Sequence, residues 1–196
     1  VKNKLFGFNT DGHGFIKSLK IDAKTDPKNK NILVLGAGGA AKGISIALSL
    51  AGAKTLVIAN RTFNKAQSLC KKINMISKTN SIALPLDEQQ IKEIICDMDI
   101  VVNATSIGLH KNDKSLLSHK TLHPKLLVYD LIYNSPETQF LKEARKAGAK
   151  TLNGLSMLLY QGAISWKIWT GKTAPIKVMR NALLNAIKTK EAKNEK

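Results

Sequence analysis

The sequence predicts an α/β protein with a doubly wound, six-stranded parallel sheet. After residue 30, short apolar runs rich in β-branched residues alternate with stretches of helical periodicity. Continuously apolar strands are typical of a sheet that helices cover on both faces. A glycine-rich bend between the first strand and the next helix is the second indication, because such a bend opens the nucleotide-binding folds of this class, which are called Rossmann-like.

Six runs predict strands, at 31–35, 55–60, 81–86, 99–104, 126–131 and 150–152. The stretches between them predict helices at 40–51, 63–76, 87–95 and 136–147. A helix at 13–20 precedes the sheet, and an amphipathic helix at 175–190 begins near Pro175, which suits a first helical turn. We therefore divide the chain into a start segment with a helix and a polar linker (1–30), a dinucleotide-binding domain (31–152) and carboxy-terminal helices (153–196).

The glycine-rich bend, Gly36-Ala37-Gly38-Gly39-Ala40-Ala41, fits the pattern G-x-G-x-x-G/A. In that pattern the first glycine makes the turn, the second lets a pyrophosphate approach the backbone, and the third small residue lets the helix pack on the strand. Free N–H groups at the start of the helix also favour a phosphate. A tight turn without a ligand gives the same pattern, so the bend alone leaves both interpretations open.

The tripeptide Asn60-Arg61-Thr62, at the end of the second strand, indicates the kind of cofactor. An NAD site places Asp or Glu about 20 residues beyond the glycines, where the carboxylate holds the ribose 2′-hydroxyl. The guanidinium of Arg61 can instead form charge-assisted hydrogen bonds to a 2′-phosphate and stack on an adenine. The tripeptide therefore favours NADP, and its alternative interpretation is a helix cap with a solvated arginine.

Composition narrows the classes of function. The chain has 31 Lys and Arg against 14 Asp and Glu, a net charge of +17, but the lysines are spread along the chain and aromatic residues are only 5%. This argues against nucleic acid as a partner and indicates a lysine-rich surface that favours anionic ligands. Cys70 and Cys96 form no C-x-x-C motif, which predicts no metal site and a reduced, cytoplasmic setting. The absence of a signal peptide and of an apolar run of about 18 residues argues against a membrane protein.

Two further sequence features, a turn motif at 9–12 and a pair of tryptophans, can be explained by the fold alone. Asn9-Thr10-Asp11-Gly12 is typical of a turn that caps the helix at 13–20, although the same turn is a rigid place to hold a catalytic carboxylate. Trp166 and Trp169 are three residues apart, which predicts one buried stripe on a helix.

Six motifs together resemble the shikimate dehydrogenase family, and the resemblance covers nearly the whole chain. They occur in order as GFNTDGHGF (7–15), VLGAGGAAKG (34–43), NRTFNKA (60–66), VVNATSIGL (101–109), YDLIYN (129–134) and NGLSMLLYQGAISWKIWTG (153–171). The resemblance implies an oxidoreductase that uses NADP and reversibly reduces 3-dehydroshikimate to shikimate in aromatic amino-acid biosynthesis. It also implies a small-molecule substrate and is compatible with a homodimer of the complete enzyme.

The resemblance further implies that the 196 residues correspond to the cofactor-binding portion of such an enzyme. Members of the family have an amino-terminal substrate domain before the NTD motif, and that domain supplies serines to the substrate carboxylate and the lysine of a Lys–Asp pair. We therefore expect this chain alone to bind NADP without catalysing the reaction. We expect its flanking helices to face the amino-terminal domain.

The resemblance assigns cofactor contacts to four places along the chain. These are Gly36, Ala37, Gly38, Gly39 and Ala40 for the pyrophosphate, Asn60, Arg61, Thr62 and Lys65 for the adenosine phosphate, Thr105 and Ser106 at the edge of the sheet, and Leu131, Gly154, Met157 and Leu158 near the nicotinamide. Each place also has a plain structural interpretation: Lys65 as a solvated helix residue, Thr105 as the start of a loop, and Met157 and Leu158 as core.

Five residues are assigned to the substrate by the resemblance. Asp11 matches the catalytic aspartate, Asn9 and Thr10 its neighbours around the substrate, and Tyr133 and Gln161 positions that face the substrate. A carboxylate beside a lysine can hold a substrate hydroxyl and help to move its proton while hydride is transferred at the adjacent carbon.

Alternatives stay open at this point. A quinate/shikimate dehydrogenase that uses NAD would favour an acidic residue where Asn60-Arg61 stands. The chain can also be a fragment of a bifunctional dehydratase–dehydrogenase, or a nucleotide-binding sensor without catalysis. The net charge of +17 motivates a nucleic-acid-binding domain, which would need its lysines gathered on one face.

Overall fold

Six parallel strands form one sheet in the computed structural model, which describes residues 5–110, 112–135 and 137–194. The strands are β1 (Asn31–Leu35), β2 (Thr55–Asn60), β3 (Asn80–Pro85), β4 (Ile100–Asn103), β5 (Leu127–Asp130) and β6 (Lys150–Leu152). Their order across the sheet is β3-β2-β1-β4-β5-β6, and every neighbouring pair is parallel. This is the doubly wound order, so the predicted fold class is confirmed.

Seven α-helices accompany the sheet in the described part of the chain. They are α1 (Asp11–Ile21), α2 (Gly39–Leu50), α3 (Phe63–Ile76), α4 (Glu88–Ile94), α5 (Gln139–Lys146), α6 (Leu155–Thr170) and α7 (Ile176–Asn194), and a 3₁₀ turn at Ile95–Asp97 extends α4. Most bounds lie within two residues of the predicted ones. Helix α5 begins three residues after the predicted start, and α7 continues to Asn194, whereas its predicted end was residue 190. Residue 136 lies outside the described residues, as do 1–4 and 195–196 at the ends of the predicted segments.

Alternate residues of the strands build two cores, one on each face of the sheet. Ile32 and Val34 of β1 belong to the core that α1, α2 and α3 cover. Leu33 and Leu35 belong to the core that α4 and α5 cover. All four side chains are fully buried, as expected for a parallel sheet between two layers of helices.

Helix α1 packs closely on two other helices because two of its residues are glycines. A Cβ atom on Gly12 would lie 2.7 Å from Ala47 Cβ of α2, and a Cβ atom on Gly14 would lie 2.6 Å from the backbone nitrogen of Gln161 in α6. Any larger residue at either position would push the helices apart. The two glycines therefore bring the start of α1 beside the middle of α6.

The prediction that Trp166 and Trp169 form a buried stripe is wrong. Their side chains are 42% and 82% exposed, respectively. The buried residues of α6 are Ser156, Leu159, Tyr160 and Ala163, so its inward face ends one turn before the tryptophans. None of the helices in the described part of the chain is long and apolar enough to cross a membrane.

Candidate functional site

The glycine-rich loop lies at the point where the strand order reverses, between β1 and β4. In doubly wound sheets this crevice, at the carboxyl ends of the strands, is where ligands bind. Gly36 has a φ of +114°, and a Cβ atom there would lie 2.9 Å from the carbonyl oxygen of Ala104, after β4. Only glycine fits this combination of positive φ and close approach. The first glycine of the pattern thus makes the turn, as predicted.

The next two glycines leave space open above the loop. Gly38 and Gly39 are exposed, and no protein atom lies within 4 Å of the position that a Cβ atom would take on either residue. Gly38 is the N-cap of α2, where no side chain caps the helix, and the first turn contains no acidic residue. The free N–H groups of this turn therefore meet open space, which suits a phosphate group.

Asn60 holds the glycine loop from the end of β2. Its Oδ1 accepts a hydrogen bond from the backbone N–H of Ala37 at 3.1 Å, and its Nδ2 donates to the carbonyl oxygen of Thr62 at 2.8 Å. The side chain thus fixes the distance between the loop and the tripeptide at 60–62. A direct contact of Asn60 with the adenosine phosphate, which the resemblance assigns, stays a prediction.

Two cations stand free beside this loop. Arg61 and Lys65 are exposed, and no carboxylate among the described residues pairs with either of them within 4.0 Å. Thr62 is the N-cap of α3 but its side chain accepts no capping hydrogen bond, and the first turn of α3 lacks acidic residues. The end of β2 and the start of α3 therefore present uncompensated positive charge to solvent, in a position to attract an anion.

The end of β4 carries Thr105 in a fixed orientation. The backbone N–H and the hydroxyl of Thr105 both donate to Oδ1 of the buried Asn103, at 2.9 Å and 2.8 Å. Ser106, the next residue, is exposed at the edge of the sheet. Thr105 lies across from the Gly36 turn, since a Cβ atom on Gly36 would lie 3.2 Å from its Cγ2.

The loop after β5 meets the start of α6. A Cβ atom on Gly154 would lie 1.9 Å from the carbonyl oxygen of Leu131, so only glycine allows this contact. The Gly154 N–H also donates to the carbonyl oxygen of Ile132 at 3.0 Å. Leu131, Gly154 and the half-buried Met157 and Leu158 are thereby brought to one place, although Met157 also packs on the core.

Two residues assigned to the substrate, Thr10 immediately before α1 and Gln161 on α6, are joined by a hydrogen bond between their side chains. The Thr10 hydroxyl donates to Gln161 Oε1 at 3.3 Å and lies 3.1 Å from the hydroxyl of Ser165. Gln161 Nε2 donates to the carbonyl oxygen of Leu158 at 3.2 Å. Because a carbonyl oxygen can only accept, this bond identifies the nitrogen end of the carboxamide and leaves Oε1 facing Thr10.

Asp11 is the first residue of α1, not part of a turn that precedes the helix. Its backbone N–H donates to Asn9 Oδ1 at 2.9 Å, and its half-buried side chain takes part in none of the ion pairs among the described residues. Tyr133 lies apart on the loop after β5 and is 48% exposed. The structure thus joins Thr10 and Gln161 directly, while no hydrogen bond between described residues ties Tyr133 to them.

Three residues that position the site were not singled out from the sequence. Asn103 and Asp130 are fully buried polar residues at the last positions of β4 and β5, and Ser165 extends the Thr10–Gln161 contact. A polar residue that ends an apolar strand, as in VVN and VYD, is a signal that could have found the first two. Burial raises the pKa of the Asp130 carboxyl above its usual value, against the hydrogen bonds that it accepts.

A separate cavity of about 700 Å³ lies between α1 and α2. Its walls include Ile16, Ile46 and Leu50, and one end reaches Asn9. It does not include the glycine loop or Arg61, so it is not where the residues predicted to bind a cofactor meet. No group of three potential metal ligands occurs among the residues that the structure describes.

Comparisons with known proteins match this chain from its first helix to its last. The family model of shikimate/quinate 5-dehydrogenase matches residues 19–131, and the model of the shikimate 5′-dehydrogenase C-terminal domain matches residues 154–184. A shikimate dehydrogenase (NADP(+)) of Methanopyrus kandleri is 40% identical over 189 residues, which are 95% of this chain and 65% of that protein. The chain thus spans less than two thirds of this relative's length.

Solved structures with the same fold include two complexes. Shikimate 5-dehydrogenase of Listeria monocytogenes, in complex with shikimate and NAD, is 36% identical with a TM-score of 0.83, over 89% of this chain and 62% of that one. Shikimate 5-dehydrogenase of Thermus thermophilus, in complex with NADP(H) and shikimate, is 34% identical with a TM-score of 0.80, over 95% of this chain and 66% of that one.

Proposed function

The chain belongs to the shikimate dehydrogenase family, and on that premise we propose that it is the NADP-binding portion of an enzyme that reversibly reduces 3-dehydroshikimate to shikimate. The observation that carries the proposal is the open glycine loop beside two unpaired cations, Arg61 and Lys65, at the point where the strand order reverses. An anionic dinucleotide fits this combination of free N–H groups and positive charge.

The residues of the crevice divide between the two ends of the cofactor. The N–H groups at Gly38 and Gly39 hold the pyrophosphate, while Arg61, with Lys65 one turn along α3, holds the 2′-phosphate. At the other end Thr105, Leu131, Gly154 and Met157 form the surface for the nicotinamide. When bound, NADPH supplies the hydride for the reduction.

The substrate lies beside α1 and α6. Thr10 and Gln161 orient its hydroxyl groups, since both side chains keep hydrogen-bonding capacity beyond their contact with each other. The Asp11 carboxylate holds the reacting hydroxyl and, with the lysine that the family places in its amino-terminal domain, moves the proton as hydride is transferred. Tyr133 approaches from the loop after β5.

Cofactor preference is argued from this chain's own residues. The Listeria monocytogenes structure was solved with NAD and the Thermus thermophilus structure with NADP(H), so relatedness alone leaves the preference open. Arg61 has no acidic partner among the described residues and follows β2 directly, where a carboxylate would repel a 2′-phosphate. These features favour NADP.

The setting follows from the same chemistry. The partner is a small anionic substrate, whose approach the net charge of +17 favours, and not a nucleic acid. Cys70 and Cys96 are free thiols, which suits a reducing compartment, and we place the protein in the cytoplasm. We propose that the complete enzyme can form a homodimer.

Calorimetric titration tests the proposal. We expect NADP⁺ to bind this chain and duplex DNA to bind only weakly, with an affinity that falls steeply as salt rises. Turnover is followed by NADPH absorbance with saturating shikimate, and we expect it only in a polypeptide that also contains the segment with the lysine and the serines. Binding of duplex DNA that exceeds binding of NADP⁺ at physiological salt would contradict the proposal.

A further inference from the structure

A buried hydrogen-bond network connects the ends of β4 and β5 to the start of α5. Its members are Asn103, Asp130 and Thr138, which are 0%, 0% and 4% exposed. Asn103 Nδ2 donates to Asp130 Oδ1 at 2.9 Å, and the Thr138 hydroxyl donates to Asp130 Oδ2 at 2.6 Å. The three side chains thus form one continuous chain of polar contacts in an apolar layer.

Two members also hold the backbone of a loop, and the third, Thr138, caps α5 by accepting the N–H of Leu141 at 3.3 Å. Asn103 accepts from the N–H and the hydroxyl of Thr105 at 2.9 Å and 2.8 Å, and it donates to the carbonyl oxygen of Ile107 at 3.0 Å. Asp130 accepts from the N–H of Ile132 at 3.1 Å. The network therefore sets the direction in which the chain leaves both strands.

These loops carry residues of the proposed nicotinamide surface. Thr105 lies on the loop that Asn103 holds, and Leu131 lies between Asp130 and Ile132. Gly154 rests on the Leu131 carbonyl, with 1.9 Å between that oxygen and the position of a Cβ atom. A shift of the turn at Leu131 would therefore move the start of α6 as well.

We propose that the Asn103–Asp130–Thr138 network is a positioning device for the nicotinamide end of the cofactor. The inference rests on the proposed NADP site but goes beyond it, since none of the three side chains is assigned to the cofactor. The adenosine end, at Arg61 and the glycine loop, is held separately through Asn60. Weakening the network should thus affect one end of the ligand and not the other.

Burial makes the network sensitive to the loss of one donor. None of the ion pairs in the described part of the chain includes Asp130, so its carboxyl oxygens are held by hydrogen bonds instead of by a cation within 4.0 Å. Removing the Thr138 hydroxyl leaves Oδ2 without the shortest of these bonds, in a place that water does not reach. The turn at Leu131 should relax as Asp130 seeks another partner.

The test compares two ligands and two substitutions in this chain. Thr138→Val removes the hydroxyl at nearly constant volume, and Thr138→Ser retains it. Calorimetry measures NADP⁺, which occupies both ends of the site, and adenosine 2′,5′-bisphosphate, which occupies the adenosine end alone. Saturation-transfer NMR of bound NADP⁺ compares nicotinamide with adenine protons.

We expect Thr138→Val to weaken NADP⁺ binding at least about fivefold, with adenosine 2′,5′-bisphosphate changed less than about twofold and the nicotinamide signals reduced. Thr138→Ser should bind both ligands as the parent chain does. Should Thr138→Val not fold, Asn103→Ser opens the network from its other end and is measured in the same way.

Equal loss of both ligands, or no loss of NADP⁺ in a folded Thr138→Val protein, overturns the proposal. So does a Thr138→Ser protein that loses as much as Thr138→Val. A parent chain that binds adenosine 2′,5′-bisphosphate as tightly as NADP⁺, with no nicotinamide signal, overturns this inference and leaves the adenosine site intact. A parent chain that binds neither ligand overturns the proposed function together with it.

Discussion

A valine at Gly38 should weaken cofactor binding without unfolding the protein. The Gly38 backbone has φ −76° and ψ −168°, an extended conformation that valine adopts without strain, and no atom lies within 4 Å of the added Cβ position. The side chain would instead occupy the space where a pyrophosphate approaches the loop. Hydrogen bonds to a charged group contribute about 1.5–3 kcal/mol each, so loss of only one weakens NADP⁺ at least about tenfold.

Calorimetric titration with NADP⁺ measures the loss, and thermal unfolding followed by circular dichroism measures the stability. Gly43→Ala is the matched control, since it adds a methyl group to the same helix with its nearest contact, Asn9 Nδ2, at 3.9 Å. The control should bind NADP⁺ normally and gain about 0.5–1 kcal/mol of stability from the better helix former. A folded Gly38→Val protein that binds NADP⁺ as tightly as the parent chain would refute the reasoning and leave the loop a simple turn.

Two further substitutions test packing and charge. Gly154→Ala places a Cβ atom 1.9 Å from the Leu131 carbonyl oxygen. Such overpacking should lower the free energy of unfolding by about 3 kcal/mol and the melting temperature by about 6–12 °C. An unchanged melting temperature would contradict this close contact. Hydrogen bonds from Lys146 and His119 lower the pKa of Glu143 from 4.5 to about 2. Because the pKa of Glu143 is lower in the folded than in the unfolded chain, the parent chain should be more stable than Glu143→Gln by a difference that is complete above pH 4.5 and vanishes as the pH falls through about 2. Urea unfolding at several pH values measures this difference. A difference that does not depend on pH would contradict the assignment.

The sheet could be predicted from the sequence because its physical cause is local. Most strands are apolar runs, and four of the five connections between strands contain a helix, so the type and order of these elements follow from short windows of sequence. Among the described residues between β4 and β5 no helix occurs, and none was predicted there. The ends of helices and strands were predicted less accurately than their type and order. The predicted strand at 81–86 is observed at Asn80–Pro85, because the backbone of Asn80 pairs with Thr55 of the neighbouring strand. A pairing partner on another strand cannot be identified from a short window of sequence.

The same limit applied to the tryptophans and to α1. Three-residue spacing places Trp166 and Trp169 on one face of α6, but which face is inward depends on α1 and α7, which pack against α6. The start of α1 at Asp11 depends on Asn9, whose carboxamide accepts the Asp11 N–H and so forms the turn before the helix. Periodicity shows which residues share one face of a helix, whereas the burial of that face depends on the elements that pack against it.

In the candidate site, motif positions were predictable but the contacts between them were not. Gly36, Gly38 and Arg61 lie where the glycine pattern and its spacing place them. In contrast, Asn103 and Asp130 are 27 residues apart and meet only because β4 and β5 are neighbours in the sheet. Asn60 looked like a ligand residue, whereas its hydrogen bond to Ala37 shows that it also holds the loop.

Arg61→Ala, titrated with NADP⁺ and with NAD⁺, tests the central claim most directly. We expect the parent chain to prefer NADP⁺, because the exposed guanidinium has no carboxylate partner among the described residues and is free to bind a 2′-phosphate. The substitution should cost about 1.5–3 kcal/mol for NADP⁺, about ten- to a hundredfold in affinity, and leave NAD⁺ nearly unchanged. Arg61→Lys, which keeps the charge but loses the planar fork, should fall in between. Equal affinities for the two cofactors in the parent chain, or a preference that survives in Arg61→Ala, would contradict the account.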